Sequence, residues 1–362
     1  MTGRMDRFLA AMAALAVSAG CLSYGPTGIG LYYYLWGPDA ALRAMSGAEA
    51  AAHTRALVEL ERAVVLLELG RYGDSLESLA RAEAFLDEPA VSGGPGGSPP
   101  WRPAPYERVL MRTVEMAAHL ALQDAVAAAE ASDRALATVA GAHCEGCDYA
   151  FTRTLAAIAY AEVGRFDDGL AALAPLELEG EVGQLVSRLR QRLTAGVAAA
   201  EPAGLAPPPA PPPRTLVAIL LLGRGPDRVR GELEVGDGTI VRWPRVVPRD
   251  PQAVAFASFE GGEAVPSLEL TDVNALAGAS LRAAGEEAAA SVQADAAARA
   301  LDLRHWSTLP ASLQLLELEL APDTEQVELV YWSPYGVAVD GELIDVPPDW
   351  PGGRLFLTRR MP

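Results

Sequence analysis

Along this chain the spacing of apolar residues changes character near residue 214. Leu57, Leu60, Val64 and Leu67 recur at intervals of three and four, Gly70-Arg71-Tyr72 interrupts them, and Leu76, Leu79, Ala82 and Leu86 resume the same period. That spacing puts one apolar stripe on each of two consecutive helices and predicts a helical hairpin. The rhythm returns with Val109, Thr113, Met116 and Leu120, followed by an Ala-rich helix ending near Val139. It returns again with Phe151, Leu155, Ile158 and Glu162, then Gly164-Arg165-Phe166, then Leu170 and Leu173. Val182, Leu185, Leu189 and Leu193 predict one more amphipathic helix, suited to cap a stack. From Arg214 onward the pattern is strand-like. The run from Thr215 to Leu222 is apolar enough for a buried strand, and Leu233, Val235 and Ile240 to Trp243 flank a Gly236-Asp237-Gly238 turn that reads as a hairpin. Further strands are expected at 253–259, 312–320, 326–332, 336–339, 342–346 and 354–358, with an Ala-rich helix over about 272–303 between them.

The expected fold class is therefore α+β in two domains: a helical repeat array, then a β-sandwich-like domain carrying one long helix. Proline and glycine supply the boundaries. The segment 201–214 holds so much proline that neither helix nor central strand can continue through it, and it separates a helical domain over 55–200 from a strand-rich domain over 215–362. Residues 1–20 form a leader and 21–54 a tether with aromatic residues.

The stretches "LELGRYGDSLESLARA" from Leu67, "LALQDAVAAAEASDRA" from Leu120 and "AEVGRFDDGLAALAPL" from Ala161 align as an internal repeat. The array resembles tetratricopeptide repeats, whose inter-helix turn carries glycine, any residue, then an aromatic. Gly70 and Tyr72 match that turn, as do Gly164 and Phe166; Gln123 and Ala125 do not. Glycine permits a left-handed helix end, and the aromatic fills the wedge between helices. Such arrays generally offer a concave groove to peptides or partner proteins, so the resemblance implies a non-catalytic interaction scaffold with that groove as its surface.

Charge narrows the choice of partner. With 47 acidic against 29 basic residues the 362-residue chain carries a formal charge of -18, which repels phosphate backbones and excludes nucleic acid as a partner. Every basic residue except histidine is arginine; the missing lysine, with abundant Ala, Gly and Pro, reflects nucleotide composition.

Cys21 decides location. Arg4 and Arg7 precede a Phe8–Val17 apolar stretch that is about half as long as a membrane span needs, and small residues follow. Ser18-Ala19-Gly20-Cys21 resembles a bacterial lipobox, in which the cysteine becomes the lipidated first residue; Ser18 stands where leucine is commoner. The alternative is plain cleavage after Ala19. With Leu22 rather than aspartate after the cysteine, the resemblance implies sorting to the outer membrane, on its periplasmic face. The expected partners are thus the membrane, through the lipid, and envelope proteins, through the repeat groove.

Little else points to chemistry. Cys144 and Cys147 could hold zinc, cycle as a dithiol, or close a small disulfide. An oxidising envelope favours the disulfide, as a staple between repeats. The glycines of residues 220–231 do not open a helix as a dinucleotide turn requires, and no lysine exists for a phosphate loop. No catalytic residue, metal or cofactor is expected. A rival reading, an envelope enzyme or solute-binding protein, would place its site near His305 and Trp306; the plainer reading there is a helix end with a packed tryptophan.

Overall fold

A computed structural model describes residues 33, 36–46, 54–88, 100–142, 144, 147, 149–200, 213–223, 225–235, 239–247, 254–260, 262–290, 306–333, 335–348, 350 and 353–361. Cys21 and the leader, most of the 201–214 segment, the 236–238 turn and His305 lie outside them.

The helical half begins with a short helix inside the expected tether, α1 (Pro38–Ser46), whose Ala41 and Met45 pack with Tyr33 on Val65. Three hairpins follow: α2 (Arg55–Glu68) with α3 (Tyr72–Asp87), α4 (Pro105–Ala121) with α5 (Ala125–Gly141), and α6 (Ala150–Glu162) with α7 (Phe166–Leu173). The long α8 (Gly180–Ala200) closes the array. Small residues let the paired helices approach: Ser75 is fully buried and donates to the Ala63 carbonyl at 2.7 Å, and Ala82 and Ala128 are also fully buried.

All three hairpin turns have the same backbone. Gly70 and Gly164 take φ of 70° and 74°, and each turn is closed by two bonds: Arg71 N–H to Leu66 O with Gly70 N–H to Leu67 O, and Arg165 N–H to Tyr160 O with Gly164 N–H to Ala161 O. This is the Schellman arrangement that satisfies the last carbonyls of a helix. The middle turn lacks the glycine yet forms the same pair of bonds, Asp124 N–H to His119 O and Gln123 N–H to Leu120 O, with Gln123 at φ 60°. The repeat there is regular in structure although its turn sequence departs from the pattern.

The strand-rich half contains two four-stranded sheets. Sheet I has the order β10 (Gly353–Met361), β1 (Arg214–Leu222), β7 (Ser312–Glu319), β6 (Leu268–Asp272). Its β1 and β10 pair in parallel, from Arg214 opposite Gly353 to Leu222 opposite Met361, and its other pairs are antiparallel. Sheet II is antiparallel, in the order β5 (Val265–Pro266), β4 (Val254–Ser258), β8 (Gln326–Trp332), β9 (Ala338–Asp345). The two expected strands at 336–339 and 342–346 are one strand, β9, and the short β5 and β6 were not anticipated. A separate hairpin joins β2 (Asp227–Val235) to β3 (Thr239–Val247).

Sheet I is covered on both faces. Leu216, Ala218, Leu220 and Leu222 of β1, with Leu316 and Leu318 of β7, meet Ala255, Val327, Leu329 and Ile344 of sheet II, which makes the sandwich. The alternate residues Val217, Ile219, Leu221, Leu313, Leu315 and Phe356 belong to the core of the helical array. Burial on both sides is why β1 reads as an unbroken apolar run. The helix α9 (Val273–Ala290) also lies on the array side, through Val273, Leu276, Ala277 and Leu281. One core passes from the repeats into sheet I, so the two expected halves are continuous there.

Candidate functional site

The first helix of each hairpin meets the strand-rich half. Phe151 N–H of α6 donates to Thr271 Oγ1 of β6 at 3.1 Å, and Thr358 Oγ1 of β10 donates to the Leu67 carbonyl of α2 at 3.3 Å. On the same side, Arg354 of β10 pairs with Glu162 at the end of α6, and Arg192 of α8 pairs with Glu317 of β7. This face of the array is therefore covered by the chain's own sheet.

Two carboxylates, both with no exposed surface, fasten the segment that leads into β7. Glu61 of α2 accepts from Ser307 N–H at 2.6 Å, Ser307 O–H at 2.7 Å and Thr308 N–H at 2.8 Å. Burial pushes its pKa above the ordinary carboxylate value, and the bonds from Thr308 and Ser307 oppose that shift. Glu107 of α4 accepts from Trp306 N–H at 3.0 Å and Ala104 N–H at 2.7 Å, and pairs with Arg228 of β2 at 2.6 Å. Burial works against the Arg228 charge, but Glu107 and Tyr106 more than offset it, so the guanidinium pKa is raised. Trp306 is 1% exposed, with its indole N–H on Thr308 Oγ1 at 3.0 Å. It is a core side chain, so the rival ligand site near His305 and Trp306 loses the tryptophan.

Glu61, Glu107 and Arg228 were not singled out from sequence. Glu107 had a signal, since a glutamate three residues into a helix that follows proline commonly turns back to the helix start, as it does here to Ala104 N–H. Glu61 and Arg228 had none, because their partners are distant in the chain.

Gln123 joins turn and sheet. With its amide oriented to satisfy both groups, it donates to Arg354 O at 3.2 Å and accepts from Phe356 N–H at 3.0 Å. It thereby pairs with β10, the end strand of sheet I, whose outer edge would otherwise lack partners there. A left-handed residue costs about 1 kcal/mol more as glutamine than as glycine, whereas each backbone bond contributes about 0.5–1.5 kcal/mol. Gln123→Gly therefore destabilises by up to about 2 kcal/mol in urea unfolding despite its easier turn. A stabilised variant would show that the edge bonds contribute nothing.

The residues singled out at the turns are structural. Tyr72 packs against the core, and Phe166 rests on Gly196 of α8, where a Cβ would come within 2.6 Å of the ring. Cys144 and Cys147 are joined as a disulfide with Cα atoms 5.4 Å apart, and Cys147 packs toward Leu276 of α9. The pair thus lies where the second and third hairpins meet the helix of the other half. Among the described residues no helix is long and apolar enough to cross a membrane, and no three His, Cys, Asp or Glu side chains converge as a metal site.

No protein-family model matches the chain, and no curated protein matches it. Among solved structures, the first tetratricopeptide domain of Spaghetti (RPAP3), bound to an HSP90 peptide, aligns at 14% identity and TM-score 0.28, over 39% of this chain and 98% of that one. MamA protein aligns at 16% identity and TM-score 0.31, over 50% of this chain and 96% of its own. Scores this low carry no inference about ligands, and the repeat character of the helical half rests on its three hairpins and their common turn.

Proposed function

We propose that this protein is a non-catalytic interaction scaffold, held at the cell envelope by a lipid on Cys21 and facing the periplasm from the outer membrane. The observation that carries the scaffold reading is the array of three helix hairpins with identical left-handed turns, an architecture that presents extended surfaces rather than a reaction centre. Because the array's first-helix face is occupied by sheet I, partners engage another surface. Support for the anchor comes from Arg4, Arg7, the apolar stretch and Ser18-Ala19-Gly20-Cys21. Several acyl chains, at roughly 0.8 kcal/mol per buried methylene, hold a protein at a membrane durably.

Cys21→Ser is expected to abolish incorporation of labelled palmitate and to move the protein from the membrane pellet to the soluble fraction. Continued labelling and sedimentation would remove the lipid anchor from the proposal. Affinity purification from gently cross-linked membranes, followed by mass spectrometry, tests the scaffold itself. A defined envelope protein should accompany the native form and be lost from a Tyr72→Asp/Phe166→Asp variant.

A further inference from the structure

With the first-helix face filled, exposed apolar side chains among the described residues gather on sheet II and the turn that leads into β9. The outer face of that sheet, opposite the sandwich core, carries Trp332 of β8, whose ring meets Phe256 of β4 edge-on at 6.2 Å, and Leu343 of β9. Leu343 is 65% exposed, Val339 at the bulge in β9 is 50% exposed, and Val337 and Tyr335 beyond it are exposed by 59% and 81%. Apolar groups gathered in this way are uncommon on a monomer unless something covers them. β9 is also the end strand of its sheet.

Beside Leu343 the apolar stripe runs into a groove of about 630 Å³, walled by Phe259, Glu260, Asp323, Glu325 and Glu328. Four carboxylates share this wall, and among the described residues no arginine lines it and none of the four makes an ion pair. Elsewhere on the molecule carboxylates are commonly met by arginine, as Glu59, Glu83, Glu115 and Glu342 are. The groove therefore carries uncompensated negative charge next to an apolar strip. From Leu343 to Val339 the strip covers about 13 Å at the rise of an extended strand.

We infer that the outer face of sheet II docks an extended segment of a partner protein that is cationic at one end and apolar along the next several residues. Its arginine or lysine side chains enter the groove at Glu325 and Glu328, and its apolar residues cover Leu343 and Val339. The inference rests on the scaffold reading and deepens it by giving the partner's chemistry. Charge complementarity chooses this occupant: an acidic segment or an anionic lipid surface would be repelled by the carboxylates, and a second copy of a chain with net charge -18 would bring mostly like charge.

The test is a titration of the full chain with two fluorescein-labelled synthetic peptides, one with three arginines followed by alternating valine and leucine, the other with glutamate in place of arginine. Anisotropy should show binding of the arginine peptide alone, weakened at about 0.5 M salt, where charges are screened within a few ångström. Glu325→Gln/Glu328→Gln and Leu343→Ser/Val339→Ser should each weaken it at least tenfold with unchanged thermal midpoints, since all four side chains are on the surface. Equal binding of both peptides, binding untouched by both variants, or no binding overturns the proposal. It is equally overturned if light scattering reveals a dimer that Leu343→Ser disperses, or if zwitterionic phosphatidylcholine vesicles bind and Leu343→Ser abolishes that. The titration does not depend on Cys21 or on any particular envelope partner, so its failure leaves the palmitate and cross-linking results standing.

Discussion

Glu107→Ala is expected to lower the unfolding free energy by about 3–5 kcal/mol, read as a fall in the urea midpoint at unchanged slope. The substitution removes the carboxylate that faces the Arg228 guanidinium, at a site where the arginine side chain is 5% exposed, and it leaves Trp306 N–H and Ala104 N–H without their acceptor. Loss of the opposite charge is the dominant cost, because the neutral Tyr106 hydroxyl that also meets Arg228 does not replace a carboxylate beside a buried cation. The double variant Glu107→Leu/Arg228→Met removes both charges together and should recover a large part of the loss, since hydrophobic replacements of buried pairs are often neutral or better. If the double variant is as damaged as the single one, the cost lies in the unpaired backbone groups of Trp306 and Ala104 instead. That result would move the emphasis from the ion pair to the anchoring of the 306–311 segment.

The second expected result concerns the chain as a whole: heat or urea should unfold it in one transition, and a fragment ending at Ala200 should not fold by itself. Separation uncovers the array's contact with Val217, Ile219, Leu221, Leu313, Leu315 and Phe356. At about 1.5–3 kcal/mol for each buried side chain of this kind, the loss is on the order of 10 kcal/mol, as large as the total stability of an ordinary domain. It also strips Glu61 of Ser307 and Thr308, and Glu107 of Arg228 and Trp306. Differential scanning calorimetry of the whole chain and circular dichroism of the fragment are the measurements. Two separated transitions, or a monomeric fragment with native helix content, would show that the shared core contributes little.

This coupling bears on function. An array whose first-helix face is closed by a covalently attached sheet, with a common core and a buried ion pair across the contact, has that face committed to folding. The scaffold reading then transfers recognition to surfaces outside the contact, and among the described residues the exposed strip on sheet II combines apolar area with a definite charge.

The helix hairpins could be read from residue order alone, because a 3.6-residue stripe and a left-handed turn are local properties: Leu57 to Leu67 and Gly70 settle α2 and its end without reference to anything distant. Much of the strand content was legible for the same reason, and the unbroken apolar run of β1 marked it as a buried strand. The middle turn escaped that logic. Gln123 adopts the conformation of a glycine and is held there by Arg354 and Phe356, more than two hundred residues away, so the propensity of the turn was overridden by a tertiary contact. Long-range pairing decided the rest. The parallel union of β1 with β10, the placement of α9 on the array side, and the carboxylates Glu61 and Glu107 beneath Ser307 and Trp306 depend on where distant segments meet. A stripe of apolar residues states that a face is buried but does not name what buries it. Hydrophobic burial is non-directional, so for this protein only the packed structure shows that the repeats' first-helix face is closed by its own sheet.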